Sequence, residues 1–215
     1  MSHDLSAKPD FHHIAIAGNI GSGKTTLAQL LARHYGWEPH FEEVERNPYI
    51  SDFYSNMERW SFHMQIYYLN RRFQQIVQIR QGGQSVVQDR TIYEDAHIFA
   101  PNLHAMGLMS SRDFHNYLNL FATLEQFIQP PDLLIYLRAS VPTLVSQIQK
   151  RGREFEDAIR LDYLKRLNER YEEWIDGYQG NRLLVIDVDN HDFATSRENL
   201  GAIINRIEAE RAGLV

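Results

Sequence analysis

The chain has 215 residues and a mass of 25.2 kDa, with 43% apolar and 23% charged residues. That is the make-up of a globular domain with a sizeable core, and it excludes disordered and collagen-like classes. A net charge of −6 argues against a broad nucleic-acid-binding surface, and the absence of cysteine excludes a disulfide scaffold, a thiolate metal site and a thiol nucleophile.

In chain order, residues 1–11 read as a flexible tail with no apolar core of signal-peptide length, on a cytoplasmic protein. No later apolar run approaches the ~18 residues that span a bilayer. His12 to Ala17 (HHIAIA) predicts a buried strand, and Lys24 to Tyr35 a helix stopped by Gly36. His40 to Val44 predicts a second strand, Glu58 to Ile79 a long helix, and Ser85 to Gln88 a third strand. Thr91 to Ala105 and Arg112 to Gln129 read as helices, the second stopped by Pro130-Pro131. Asp132 to Leu137 is a fourth strand, Val141 to Gln149 and Glu156 to Trp174 are helical, Leu183 to Asp187 is a fifth strand, and Ala194 to Arg211 is a closing helix. Short apolar strands alternating with long helices predict one α/β domain over 12–215, a three-layer α/β/α arrangement around a five-stranded parallel sheet.

Gly18 to Thr25 reads GNIGSGKT, the phosphate-loop pattern of Gly, four residues, Gly-Lys-Thr, between a predicted strand and a predicted helix. Glycines let backbone N–H groups wrap a phosphate, and the helix N-terminus adds partial positive charge. The 22 basic residues are 18 Arg and only 4 Lys, so a lysine in this loop stands out. Gly18, Asn19, Ile20, Gly21, Ser22, Gly23, Lys24, Thr25 and Thr26 are therefore expected to hold a nucleoside triphosphate, with Lys24 on the β- and γ-phosphates and the Thr25 hydroxyl on Mg²⁺. The loop alone does not separate an ATPase, a GTPase and a kinase.

Further motifs narrow the choice. Tyr54 to Phe62 reads YSNMERWSF and is followed by Gln65; Asp89-Arg90-Thr91 follows the third strand; Arg151-Gly152-Arg153 lies in KRGRE. With these the chain resembles the deoxynucleoside kinase family from the phosphate loop to the helix after KRGRE. The family's base is a glutamate, usually in Glu-Pro-Val. Here the matching stretch is Glu42-Glu43-Val44, and aligning on Val44 puts the base at Glu42, with Glu43 as an alternative. A carboxylate at a strand's carboxyl end, facing the phosphate loop, can accept the proton of an attacking hydroxyl.

The resemblance implies that Tyr54 and Glu156 bind the sugar 3′-hydroxyl, and that Gln65 pairs with the base edge. It also implies that Arg72 and Asp95, found in the deoxycytidine and deoxyguanosine branch, favour an amino-bearing base. Arg90 would contact the 5′-oxygen and the transferred phosphoryl. Asp89, where the family often has Glu, would hold Mg²⁺ partly through water. Arg151 and Arg153 would sit in a short lid, about 148–157, over the triphosphate; Gly152 between them suggests a break in the helix. Asp187 and Asp189, in DVDNHD, match the loop beside the adenine of ATP. By themselves, Arg72 and Asp95 would read as a structural ion pair, Tyr54 as a surface aromatic and the DVDNHD stretch as an ordinary turn.

The expected activity is ATP-dependent phosphorylation of a deoxynucleoside, with deoxyadenosine leading and deoxyguanosine and deoxycytidine behind it. The resemblance further implies a homodimer through long helices, and no nucleic-acid polymer or membrane partner is expected. The rivals are a nucleoside monophosphate kinase and a non-kinase nucleotide-binding module; against a GTPase, no Asn-Lys-x-Asp stretch is present.

Overall fold

Apolar side chains alternate between the two faces of the strands. In the computed structural model, which describes residues 11–42, 46–153, 156 and 158–213, this alternation divides the core in two. Strand β1 (His13–Gly18) sends Ile14 and Ile16 to one face and Ala15 and Ala17 to the other. Strand β4 (Leu133–Arg138) does the same with Leu133, Ile135 and Leu137 against Leu134 and Tyr136. Helices α1 (Lys24–Tyr35) and α9 (Arg197–Arg211) cover the first face. The second is covered by α3 (Met57–Gly82), α6 (Ser111–Glu125) and α8 (Leu161–Asp176).

With β2 (Glu38–His40), β3 (Val86–Asp89) and β5 (Arg182–Asp187), the sheet has the order β2-β3-β1-β4-β5, and every pairing is parallel. The expected three-layer architecture is therefore present. Strand β1 lies in the middle, level with β3 at Ile16 and Asp89, so the loop after β1 and the Asp89-Arg90 pair emerge side by side at the carboxyl edge. Ligands of open α/β sheets bind at that edge, where strand order turns from one side to the other.

Several boundaries differ from expectation. The second strand is Glu38–His40 rather than 40–44; it is an exposed edge strand, where Pro39 costs little because its missing N–H faces no neighbour. A short helix, α2 (Ile50–Ser55), precedes α3, whose N-terminus is capped by the Asn56 side chain accepting from Arg59 N at 3.0 Å. The expected continuous helix 91–105 is instead α4 (Ile92–Glu94), a π-helical turn at Asp95–Phe99 and α5 (Ala100–Ala105). Such π turns insert a residue and redirect side chains, often at functional sites. Helix α7 (Val141–Arg151) ends at Gly152 in the left-handed conformation (φ 67°), so the break suggested by that glycine is present. Helix α8 starts at Leu161 rather than at residue 156. Phe11, which its sequence places in the tail, is 4% exposed under the Arg182 guanidinium.

Candidate functional site

The loop Gly18–Thr25 turns sharply from β1 into α1. Gly21 has φ 87°, and a Cβ there would lie 2.8 Å from the Leu144 carbonyl oxygen and 2.9 Å from Ile148 Cγ1, so only glycine lets α7 pack against the loop. The Asn19 side chain faces away from the loop's interior: it donates to Leu164 O and Asn168 Oδ1, each at 3.1 Å, and ties the loop to α8. Lys24 is buried, and its ammonium donates to Asn19 O at 3.0 Å. Burial, then the nearby Arg90, lower its pKa to about 8, with Asp89, Glu94 and Glu42 opposing.

Beside the loop opens a cavity. It is lined by Lys24, Thr25, Glu42, Tyr54, Gln65, Asp89, Arg90, Asp95, Arg151, Arg153 and Glu156. The fold thus brings together on its walls most of the polar residues singled out from the motifs beyond the phosphate loop, but not Arg72, which stands behind Glu42 and Asp95. Ile20 and Gly21 join it from the loop.

Two acids and two arginines form one ionic cluster. Arg72 bridges Glu42 and Asp95, with Nη2 2.9 Å from Glu42 Oε1 and Nη1 2.8 Å from Asp95 Oδ2. Arg90 Nε lies 3.5 Å from Glu42 Oε2, and its guanidinium sits 4.4 Å from the Phe99 ring centroid. Burial would raise the Glu42 pKa, but Arg90, Arg72 and Lys24 outweigh it and hold the carboxyl at about 2. Asp95 goes the other way: burial pushes it up to about 7 against the pull of Arg72 and Arg90. Glu43, the alternative to Glu42, lies outside the described residues. Arg90 has φ 70°, the one non-glycine positive φ among the described residues. Such a backbone costs on the order of 1–3 kcal/mol and persists where its surroundings over-determine it.

The Thr25 hydroxyl donates to Asp89 Oδ2 at 2.5 Å, while Asp89 Oδ1 is buried without a hydrogen-bond partner. An all-oxygen pair with one free carboxylate oxygen beside a phosphate loop suits Mg²⁺, which keeps several waters. The Gln65 side chain is 1% exposed, and its amide oxygen also has no hydrogen-bond partner. Burial raises the Tyr54 pKa well above its usual value, with the neighbouring Tyr163, Tyr68 and Glu156 adding to it; Tyr54 and Glu156 both line the cavity. Glu156 accepts from Arg151 Nη2 at 2.6 Å and Nε at 3.0 Å, and Arg153 Nη1 lies 3.6 Å from it. Of the expected lid, Glu154, Phe155 and Asp157 lie outside the described residues.

Asp187 and Asp189 do not line the cavity. Asp189 accepts from Ser140 N at 3.1 Å, at the start of α7, and Asp187 accepts from Asp189 N at 3.0 Å and Asn190 Nδ2 at 2.6 Å. Their loop still approaches the phosphate loop through Phe193, which a Cβ on Gly23 would meet at 3.1 Å. Motif reading missed the apolar walls Phe53, Met64, Tyr68, Phe99 and Tyr163, since single aromatic or apolar side chains on helices carry no sequence signal of their own. It also missed Glu94, fully buried behind the loop; its signal was there, in the capping-box spacing Thr91-x-x-Glu94.

Residues 14–210 match the family model described as deoxynucleoside kinase. The chain is 39% identical over 197 residues to the deoxyadenosine/deoxycytidine kinase of Bacillus subtilis (strain 168), covering 90% of each chain. It is 44% identical over 163 residues to the deoxyadenosine kinase of Dictyostelium discoideum, covering 76% of this chain and 66% of that one. A solved structure of deoxyadenosine kinase from M. mycoides, with products dCMP and a flexible dCDP bound, superposes with a TM-score of 0.82 at 30% identity, covering 92% of this chain and 99% of that one.

Proposed function

The chain belongs to the deoxynucleoside kinase family, and on that premise we propose that it transfers the γ-phosphoryl group of ATP to the 5′-hydroxyl of a deoxynucleoside, deoxyadenosine first, with deoxyguanosine and deoxycytidine behind it. The products are the 5′-monophosphate and ADP. The observation that carries the reading is that one cavity joins the Lys24 end of the phosphate loop, an ionised Glu42 and the unpaired amide oxygen of the buried Gln65.

In this proposal the Gln65 amide pairs with the base edge, and the Arg72–Asp95 pair selects an amino-bearing base. Tyr54 and Glu156 satisfy the 3′-hydroxyl. A polar pocket built this way rejects an analogue that leaves its groups unpaired. Glu42 holds the 5′-hydroxyl and takes its proton. A carboxylate held near 2 is a weak base but is always ionised at neutral pH. In a loose phosphoryl transition state the nucleophile keeps its proton until late, so a weak, well-placed acceptor suffices. Lys24, Arg90, Arg151 and Arg153 spread positive charge around the transferring group. Thr25 and Asp89 would hold Mg²⁺, which supplies charge neutralisation between the donor phosphates. The Asp187 and Asp189 carboxylates already accept loop hydrogen bonds, so their part is to shape the loop beside the donor adenine. The homodimer stays part of this reading.

A nucleoside monophosphate kinase would need extra cations for the acceptor's own phosphate, and here Arg72 is already paired with both Glu42 and Asp95. The test is a panel of the four deoxynucleosides and their 5′-monophosphates with ATP and Mg²⁺, reporting kcat/KM. The highest value should fall to deoxyadenosine, with the monophosphates inert. A monophosphate turned over faster than its nucleoside would overturn the proposal.

A further inference from the structure

Glu94 is 0% exposed and does not line the cavity, yet its carboxylate collects four hydrogen bonds from three parts of the chain. Oε1 accepts from Gly18 N at 3.3 Å and from the Tyr171 hydroxyl at 2.7 Å. Oε2 accepts from Thr91 N at 2.7 Å and from Thr91 Oγ1 at 3.2 Å. Gly18 opens the phosphate loop, Thr91 directly follows the strained Arg90, and Tyr171 lies in α8.

A helix cap alone does not explain this residue. The capping box accepts Gln as readily as Glu, and Gln would avoid burying a charge. Only a carboxylate offers acceptors on both oxygens; an amide would turn its NH₂ toward donors on one side. The surplus bonds, to Gly18 and Tyr171, are what require the charge. They reach the two backbone segments that must keep one spacing during transfer: the loop around the donor phosphates, and the turn that aims Arg90. Arg90 N itself donates to Ile16 O at 2.9 Å, so β1 and the Arg90 turn are pinned to each other at two levels.

We propose that Glu94 is a positioning residue for phosphoryl transfer, locking the first glycine of the phosphate loop to the turn that presents Arg90. This rests on the reading of Gly18–Thr25 as the donor site and of Arg90 as a transfer group. The bond to Gly18 is the longest of the four, and it is the one that an uncharged acceptor would lose first.

The experiment is Glu94→Gln in the full chain, with kcat and both KM values measured for ATP and deoxyadenosine beside a melting curve. Misplacing reacting groups by about 1 Å can cost on the order of 10²-fold in rate, so even a smaller shift should lower kcat by at least ~10-fold while the nucleoside KM stays within about threefold. A kcat and ATP KM within about twofold of wild type, with only a lower melting temperature, would reduce Glu94 to a cap and overturn the proposal. If Glu94→Gln does not fold, Glu94→Asp keeps the charge but draws the carboxyl back by one methylene, so that it cannot hold Gly18 N and Thr91 N together; kcat should then fall at an unchanged nucleoside KM, and an unchanged kcat refutes the inference. Lys24→Ala run in parallel separates the two readings. Full activity in Lys24→Ala sinks the donor site itself, whereas its loss beside an unaffected Glu94→Gln sinks only the role of Glu94.

Discussion

Replacing Glu42 by Gln changes one charge and almost no volume at the centre of the cavity. The gap between the ordinary 4.5 and about 2 corresponds to about 3 kcal/mol of preference for the charged form, supplied against burial by Arg90, Arg72 and Lys24. The side chain is 13% exposed, so solvent screening takes only part of this. Stability should therefore drop by up to about 3 kcal/mol at pH 7. The sign with pH follows from the lowered pKa. The contribution is fully present above 4.5 and is lost as the pH falls toward 2, so the wild-type and variant denaturation curves should converge there. Arg72 keeps Asp95 as a partner and Arg90 keeps the face of Phe99, so the pocket should survive and the nucleoside should still bind within a few-fold. Chemistry should not survive: kcat should fall by roughly 10²–10⁴, the usual worth of a positioned general base. The assay is steady-state phosphorylation of deoxyadenosine with a calorimetric nucleoside Kd. A kcat within tenfold of wild type would refute the assignment, and the same loss appearing in Glu43→Gln instead would move the base by one residue.

Three more outcomes follow from the same geometry. Lys24→Ala should retain the melting profile of a folded protein and lose nearly all turnover; near-normal rates would remove the phosphate loop from the mechanism. Replacing Arg72 and Asp95 together with small apolar residues should shift the kcat/KM ranking toward thymidine, and an unchanged ranking would remove the basis for the amino-bearing base. Gly21→Ala forces a Cβ to within 2.8 Å of Leu144 O at φ 87°. It should cost on the order of 1–3 kcal/mol in chemical denaturation, and a neutral result would mean that α7 is free to back away from the loop.

What the sequence made legible was whatever has a fixed spacing. The stretch from Gly18 to Thr25 carries its geometry in its residue types, and the alternation of strands such as HHIAIA and DLLIYL predicted the sheet. The edge strand Glu38–His40 was misplaced because it buries no face and so carries no apolar pattern. The π turn at Asp95–Phe99 was invisible to a 3.6-residue period, although it sets where Asp95 and Phe99 enter the cavity. Motifs supplied Glu42, Arg90 and the Arg72–Asp95 pair separately; their union into a single ionic cluster is a property of the sheet edge, where α3, the strand ends and the π turn converge. The Glu94 carboxylate shows the same limit from the other side, since its capping spacing was readable but its bond to Gly18, 76 positions away, was not.

The most direct measurement is a crystal structure of the protein with deoxyadenosine and a non-hydrolysable ATP analogue. Transfer assisted by Glu42 places the 5′-oxygen within about 2.6–3.2 Å of its carboxylate and directs it at the γ-phosphorus held by Gly18 to Thr25. A 5′-oxygen directed away from the loop, or one with no carboxylate in reach, would contradict it.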